Sequence, residues 1–482
     1  MRREFFKYLL ILASISILTM YVEMVVLPSL PTIESQFNVN EAEGSWILSS
    51  ETLAGMTLAP FIGKLADSYG RKKVLLFILG IYTISVMLTS LSPNYAILIL
   101  SRSIQGLGLS INPLAYTILR ERLSREELPI AQGIIASTFA VGAAVAIPIG
   151  SYIAEYYTWQ TAYQTAIPLL LVVIFAVGKF IPPSKAVQKE SIDVIGILLL
   201  SAGFLIMGVA FTEAPNWGWL SLPFFSSLAS SALILYFFSS YISKAKHPII
   251  DPYDFKNPNI AVPLLSSFVT GFSLFLTFQS LVFLFELPKP VGYGMTIFQT
   301  GLTLAPIALV LLFAGPFFGY MVNKVGYKRI ILSTSTLSVI SILFLSFLIG
   351  ENISVTGLMG VLIIILVFVS GMNVTRVTLL LASSSQERMA TITGTNTSMR
   401  LMGNTLGPVI AGSLESTFRE PLLLFMYNSV PIFTFISSRL AFQYSFIVSS
   451  IVTISVIIMA TKIKEERAVL SQRERINLKS YS

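Results

Sequence analysis

Fourteen long apolar runs, separated by short stretches of Pro, Gly, Asn and charge, set the rhythm of this chain. They fall at about 8–30, 45–66, 74–92, 95–119, 129–154, 160–181, 192–212, 220–243, 259–285, 297–322, 330–349, 355–381, 390–414 and 443–461. An α-helix needs roughly 20 apolar residues to cross the hydrocarbon core, and a helix satisfies its own backbone hydrogen bonds where no water can. The pattern predicts an all-α membrane protein with fourteen transmembrane helices. The first run follows Arg2, Arg3 and Lys7 but extends with no small-residue cleavage site, so it is expected to be a retained helix. The stretch 416–442 breaks the rhythm. It is apolar but interrupted by Pro421, Asn428, Pro431 and Arg439, and it predicts an interfacial helix or hairpin against the membrane surface.

Composition narrows the function classes. Hydrophobic residues make up 54% and charged residues 12%, with a mean hydropathy of +0.77, about half the charge of a soluble chain. There are no cysteines, which excludes disulfides, thiolate metal sites and cysteine nucleophiles. The single histidine, His247 beside Pro248, falls in a connector and offers no metal site or proton relay. No nucleophile–base pair or soluble catalytic domain is legible, so neither enzyme chemistry nor a cofactor or metal is expected. The net charge of +8 reads as loop charge, with a lipid bilayer and not nucleic acid as the partner.

The same charge orients the chain. With the N-terminus in the cytoplasm and alternation thereafter, 26 of the 32 Lys and Arg fall on the cytoplasmic side. Lys289, Arg419 and Arg439 fall outside, and Arg102, Arg376 and Arg400 within spans. Both termini are therefore expected in the cytoplasm of a multi-pass protein of the cytoplasmic membrane.

An internal repeat divides the spans. Gly63-Lys-Leu-Ala-Asp67-Ser-Tyr-Gly70-Arg71-Lys72-Lys73 follows the second run, and Gly319-Tyr-Met-Val-Asn323-Lys-Val-Gly326-Tyr-Lys328-Arg329 follows the tenth. Gly63 and Gly319, Asp67 and Asn323, Gly70 and Gly326, and Lys72 and Lys328 are each 256 residues apart. Gly142 and Pro148 in the fifth run are echoed by Gly403, Gly407 and Pro408 in the thirteenth. Two six-helix bundles follow, at 1–190 and 258–462, with an inserted helix pair at 191–257 and a cytoplasmic tail at 463–482.

On these motifs the chain resembles the major facilitator superfamily, and within it the fourteen-span drug:proton antiporters. The loop Gly63–Lys73 is similar to the superfamily's signature between helices two and three. Arg102, Gln105, Gly106 and Gly108 are similar to the Arg-x-x-Gln-Gly motif of helix four. The helix-five antiporter motif is matched by Gly142, Pro148 and Gly150, with the family's Gly-Pro pair falling on Ala146-Ile147. Trp159 and Pro168 resemble the start of helix six, and Trp217-Gly-Trp219 with His247-Pro248 the inserted pair. The resemblance implies alternating access, with Gly63, Asp67, Gly70, Arg71 and Lys72 acting as a conformational latch that makes charge contacts with neighbouring helix ends. Asn323 should make the second copy weaker.

Ionisable groups inside a span cost roughly 2.5–3.5 kcal/mol on insertion scales and are functional candidates by default. Ser16, Thr19 and Glu23 recur at i, i+3 and i+7 and share one helix face. Glu23 is expected to exchange protons in a central cavity, with Arg102, on a stripe with Gln105 and Asn112, modulating its affinity. The plain alternative is a solvated Glu23 near the outer mouth. Glu51, where the family usually has an aromatic hydroxyl, is either a second proton or cation-recognition site or a wetted residue at a helix mouth. Arg376, with Asn373 one turn earlier, and Arg400, with Asn396 and Asn404, each either bind an anionic group, pair with a cavity acid or serve structural packing, the last being favoured for Arg400 by its glycine-rich stretch.

The expected function is proton-coupled export of lipophilic or cationic small molecules by a monomer. Symport or facilitated movement of a metabolite, or lipid export, on the same fold is the alternative. A membrane enzyme or receptor is the reading from another class.

Overall fold

The computed structural model describes residues 2–122, 128–184, 193–246, 248–350, 353–384, 389–427 and 430–464. His247, Arg388 and the tail beyond 464 lie outside them. The helices are α1 (Arg2–Met24), α2 (Leu30–Phe37), α3 (Glu41–Gly44), α4 (Trp46–Tyr69), α5 (Arg71–Ser90), α6 (Tyr95–Gln105), α7 (Ile111–Arg122), α8 (Leu128–Tyr156) and α9 (Trp159–Phe180). There follow α10 (Val194–Trp217), α11 (Leu222–Ile242), α12 (Pro258–Glu286), α13 (Ile297–Val325), α14 (Tyr327–Gly350), α15 (Val355–Ala382), α16 (Met389–Thr417) and α17 (Arg439–Ala460). Among the described residues, nine helices are long and apolar enough to cross a membrane by length and composition.

Two predicted runs are broken. The first ends at Met24 and continues through a 3-10 turn at Leu27–Ser29 into α2, where Pro28 and Pro31 remove two backbone donors from the helical ladder. The fourth tightens into a 3-10 turn at Gly106–Ser110 between α6 and α7. Gly106 there sits directly against the Glu51 backbone and Gly108 against the Tyr82 ring, where a Cβ would collide. Small residues at such crossings let helices approach closely in lipid.

The awkward stretch forms an antiparallel hairpin, β1 (Arg419–Tyr427) paired with β2 (Val430–Ser437). It is one of the two forms expected for that segment. Pro421 and Pro431 cannot sit inside a helix without breaking it, and the aromatic and β-branched residues around them suit strands.

Packing follows the repeat. In the first half α1 packs on α8 and α5 on α9; in the second, α12 packs on α16 and α14 on α17. The halves meet along two seams, α4 with α16 and α8 with α13, which are the same pairing of helices with the halves exchanged. The inserted α10 and α11 pack on each other, and α10 lies on both α16 and α4. Trp46 Nε1 donates to Thr212 Oγ1 at 2.8 Å and Trp219 Nε1 to Thr417 Oγ1 at 2.9 Å, so the inserted pair straps the α4–α16 seam. Outward faces are as apolar as the interior: on α9, Leu171, Val172 and Phe175 are exposed, while Tyr163, Ala166 and Leu170 are buried.

The repeated loop is also repeated in geometry. Gly70 has φ +96° and Gly326 φ +95°, each capping the preceding helix through its N–H. Lys72 Nζ donates to Gly178 O at 2.7 Å, and Lys328 Nζ to Thr461 O at 2.6 Å. Each lysine therefore holds the last carbonyls of the helix that closes its own half, where the helix dipole favours a cation. This defines a basic end of the bundle. The opposite end carries the hairpin.

Candidate functional site

The site is built on a buried charge network. Arg102, on α6, forms an ion pair with Glu51 of α4; the two side chains are 0% and 2% exposed. Arg102 Nε donates to Ile47 O at 2.8 Å and Nη1 to Gln105 Oε1 at 2.6 Å. Gln105 Nε2 passes the chain on to Thr89 Oγ1 at 2.7 Å, and Thr89 donates to Ser101 Oγ at 2.8 Å. A buried guanidinium needs acceptors and a compensating charge; α4 supplies Ile47 O and the Glu51 carboxylate, and α6 supplies Gln105. Arg102 is thus the ion-pair partner of Glu51, not primarily of Glu23. The wetted reading of Glu51 is corrected by its burial.

Glu23 is 7% exposed, near the break between α1 and α2, which corrects the solvated reading. Ser16 and Thr19 lie on the same face but turn their hydroxyls back to their own helix, at Leu12 O and Ile15 O. Glu51, Arg400 and Arg102 are the charged groups within electrostatic reach of Glu23. Arg400 belongs to α16, in the other half. Its side chain is half-exposed, while its backbone packs closely on α12: a Cβ on Gly271 would collide with Arg400 O, and Gly403 and Gly407, at i+3 and i+7 on the same face, lie against the α12 backbone at Phe268 and Phe272.

The helix-five glycines seat the helix that carries Glu23. A Cβ on Gly142 would lie 2.8 Å from Met20 Cβ, and one on Gly150 would lie 2.8 Å from Val25 O. Those contacts bracket Glu23 along α1. Pro148 is half-exposed inside α8 and its carbonyl accepts from Ser151 Oγ at 3.0 Å.

In the second half Arg376 is 1% exposed. Its Nη2 donates to Asn373 Oδ1 at 2.5 Å, and its Nη1 donates to Ser267 Oγ and, at 3.1 Å, to Asn396 Oδ1. All of these partners are neutral. Asn373 is exposed and Asn396 half-exposed.

Of the latch residues, Gly63 has no heavy atom within 4 Å of where a Cβ would stand. Arg71 Nη1 reaches Thr117 O at 3.4 Å, a contact with the middle of α7. The side chains of Asp67 and Asn112 lie outside the described residues.

The hairpin end holds a group that sequence reasoning missed. Glu41 of α3 is ion-paired with Arg419, and accepts from Ser416 at 3.1 Å and Ser437 at 3.0 Å. Phe298 N donates to Glu155 Oε2 at 3.1 Å across the α8–α13 seam. Below them Glu415, 0% exposed, accepts from Ser280 Oγ at 2.8 Å. The Glu41 and Glu155 contacts close the halves against each other at the hairpin end, and the Glu415–Ser280 bond joins α16 to α12 within the second half. An acid one residue beyond an apolar run, as Glu415 is, was the available signal for that layer.

A family model described as Major Facilitator Superfamily matches residues 12–408, and the chain belongs to that superfamily. It is 26% identical over 410 residues to the uncharacterized MFS-type transporter Rv1877 of Mycobacterium tuberculosis (strain ATCC 25618 / H37Rv), covering 83% of this chain and 58% of that protein. It therefore spans little more than half the length of that relative. Multidrug resistance protein 3 of Bacillus subtilis (strain 168) is 24% identical over 379 residues, covering 77% and 72%. Among solved structures, the human organic anion transporter MFSD10 superposes with a TM-score of 0.62 at 15% identity, covering 95% of this chain and 99% of that one. The fold is that of a multi-pass membrane transporter.

Proposed function

We propose that the chain exports lipophilic or cationic small molecules in exchange for protons, by alternating access. The observation that carries this reading is Glu23, a carboxylate buried at 7% exposure on the first helix, within electrostatic reach of cations from both halves, Arg102 and Arg400. While ionised, Glu23 attracts Arg400 and ties the halves together. Protonation removes that attraction, and a cationic group on a substrate competes with the proton for the same carboxylate. Competition at one site couples the two fluxes in opposite directions, provided each occupant favours a different arrangement of the halves.

The rest of the molecule fits the same cycle. Fourteen spans, six, two and six, cross the cytoplasmic membrane, with the basic end and both termini in the cytoplasm by the positive-inside rule. The Glu51–Arg102 pair is a fixed wall of the route. The Gly63–Lys73 latch changes partners when the basic end closes, and the Glu41 contacts part when the hairpin end opens. One protomer suffices for the cycle. The naming of a relative as Multidrug resistance protein 3 supports drug-like substrates.

Metabolite symport is the second reading, favoured by the neutral surroundings of Arg376. Inverted vesicles tested with a panel of cationic and neutral dyes separate the two. Export by antiport predicts accumulation of at least one dye that stops when the pH gradient and potential are collapsed. Accumulation of every transported dye that survives the collapse contradicts it.

A further inference from the structure

Arg376 poses a problem that its counterpart does not. It lies on α15, the fourth helix of the second half, as Arg102 lies on the fourth helix of the first. Arg102 has Glu51. Among the described residues no carboxylate is ion-paired with Arg376, and the charge within electrostatic reach of it is another cation, Arg400. Three neutral oxygens, from Ser267, Asn373 and Asn396, fix its Nη1 and Nη2, while its buried Nε has no hydrogen-bond partner. A guanidinium oriented by neutral acceptors and stripped of water is a cation still short of its anion.

The cluster is reachable. Asn373 is exposed, Asn396, Thr397 and Arg400 are half-exposed, and a Cβ on Gly394 would meet open space. Asn396 and Arg400 are one turn apart on α16 and share a face. Two cations and two amides are therefore grouped toward the basic end relative to Glu23, with Arg376 buried and the other three partly or fully exposed.

We propose that Arg376, with Asn373, Asn396 and Arg400, is the receptor for a carboxylate on the transported molecule. The substrates are then amphipathic acids or zwitterions: an apolar body, a carboxylate held at Arg376 and, where present, an amine directed to Glu23. A planar carboxylate suits the free edge of the guanidinium. This rests on the preceding reading only in taking the route between the halves as the path of the substrate.

The test is ligand-induced thermal stabilisation of the purified full-length chain. The probes are 1-naphthoate and 4-(1-pyrenyl)butyrate, each against its neutral amide. A ligand that binds the folded state alone raises Tm by mass action. The wild type is expected to bind at least one carboxylate tenfold or more tightly than its amide, and Arg376→Gln to lose that preference. Asn373→Asp is the second variant, because it places a tethered carboxylate on the guanidinium at an exposed position. It should fold normally and lose the preference through internal competition. No carboxylate preference in the wild type, or an undiminished preference in Asn373→Asp, overturns the proposal. Proton-driven dye efflux measured on the same preparations keeps the two readings apart. Carboxylate preference without efflux sinks only the antiport reading, and efflux without carboxylate preference sinks only this one.

Discussion

Glu51 and Arg102 form an ion pair with both side chains withdrawn from water, and each would be an uncompensated buried charge without the other. Replacing one member of such a pair costs about 3–5 kcal/mol, whereas replacing both with groups of similar size is often near neutral. Glu51→Gln and Arg102→Met are each expected to lower Tm sharply, and the double variant to recover most of the loss. A double-mutant cycle on thermal unfolding checks this. Strictly additive losses would contradict the pairing.

Gly70 and Gly326 occupy equivalent positions with φ near +95°. Side chains other than glycine pay about 1–3 kcal/mol in so sparsely populated a backbone region. Gly70→Ala should pay that strain and more, because its Cβ would also lie 2.7 Å from Ser184 O. An unfolding midpoint of Gly70→Ala equal to that of the wild type would contradict this.

Lys72 and Lys328 make the same bond in the two halves. A cation at a helix C-terminus contributes about 0.3–1 kcal/mol. Lys72→Met and Lys328→Met should each lose that much and add in the double variant, since the sites share no partner. A loss in the double variant well beyond the sum would show coupling through the seam between halves.

The repeat that relates these pairs was legible because an offset of 256 residues preserves chemistry at four positions of a short loop. The helices were legible for a similar reason, since lipid demands long apolar runs. Partners across space were not. A helical stripe places Arg102 on a face with Gln105, and the structure does join them, but no stripe says that Glu51 on another helix faces the same guanidinium. The glycines near Arg400 suggested packing, and they do pack the Arg400 turn of α16 onto α12, but they do not say what the guanidinium faces. The prolines at 421 and 431 interrupted the apolar run without choosing between an interfacial helix and a hairpin. Closure at the hairpin end was missed altogether, because Glu41 and Arg419 fall in connectors far apart in sequence.

Glu41 meets Arg419, Ser416 and Ser437 at that closure. Glu41→Gln removes the charge that joins the halves and should raise the population open at the hairpin end. The chain has no cysteines, so Gln279→Cys, a fully buried position on α12, can report access. Alkylation by a membrane-impermeant maleimide from the hairpin side should speed up several-fold in the Glu41→Gln background. An unchanged rate would contradict a gating role for these contacts.

The central claim is that Glu23 exchanges protons against substrate. The most direct measurement compares wild type and Glu23→Gln in proteoliposomes, for a transported dye, with and without an imposed pH gradient. The account predicts that Glu23→Gln loses at least about tenfold in gradient-driven accumulation, a change of ~1.4 kcal/mol or more in coupling, while dye-for-dye exchange without a gradient persists. Full gradient-driven accumulation by Glu23→Gln would contradict it.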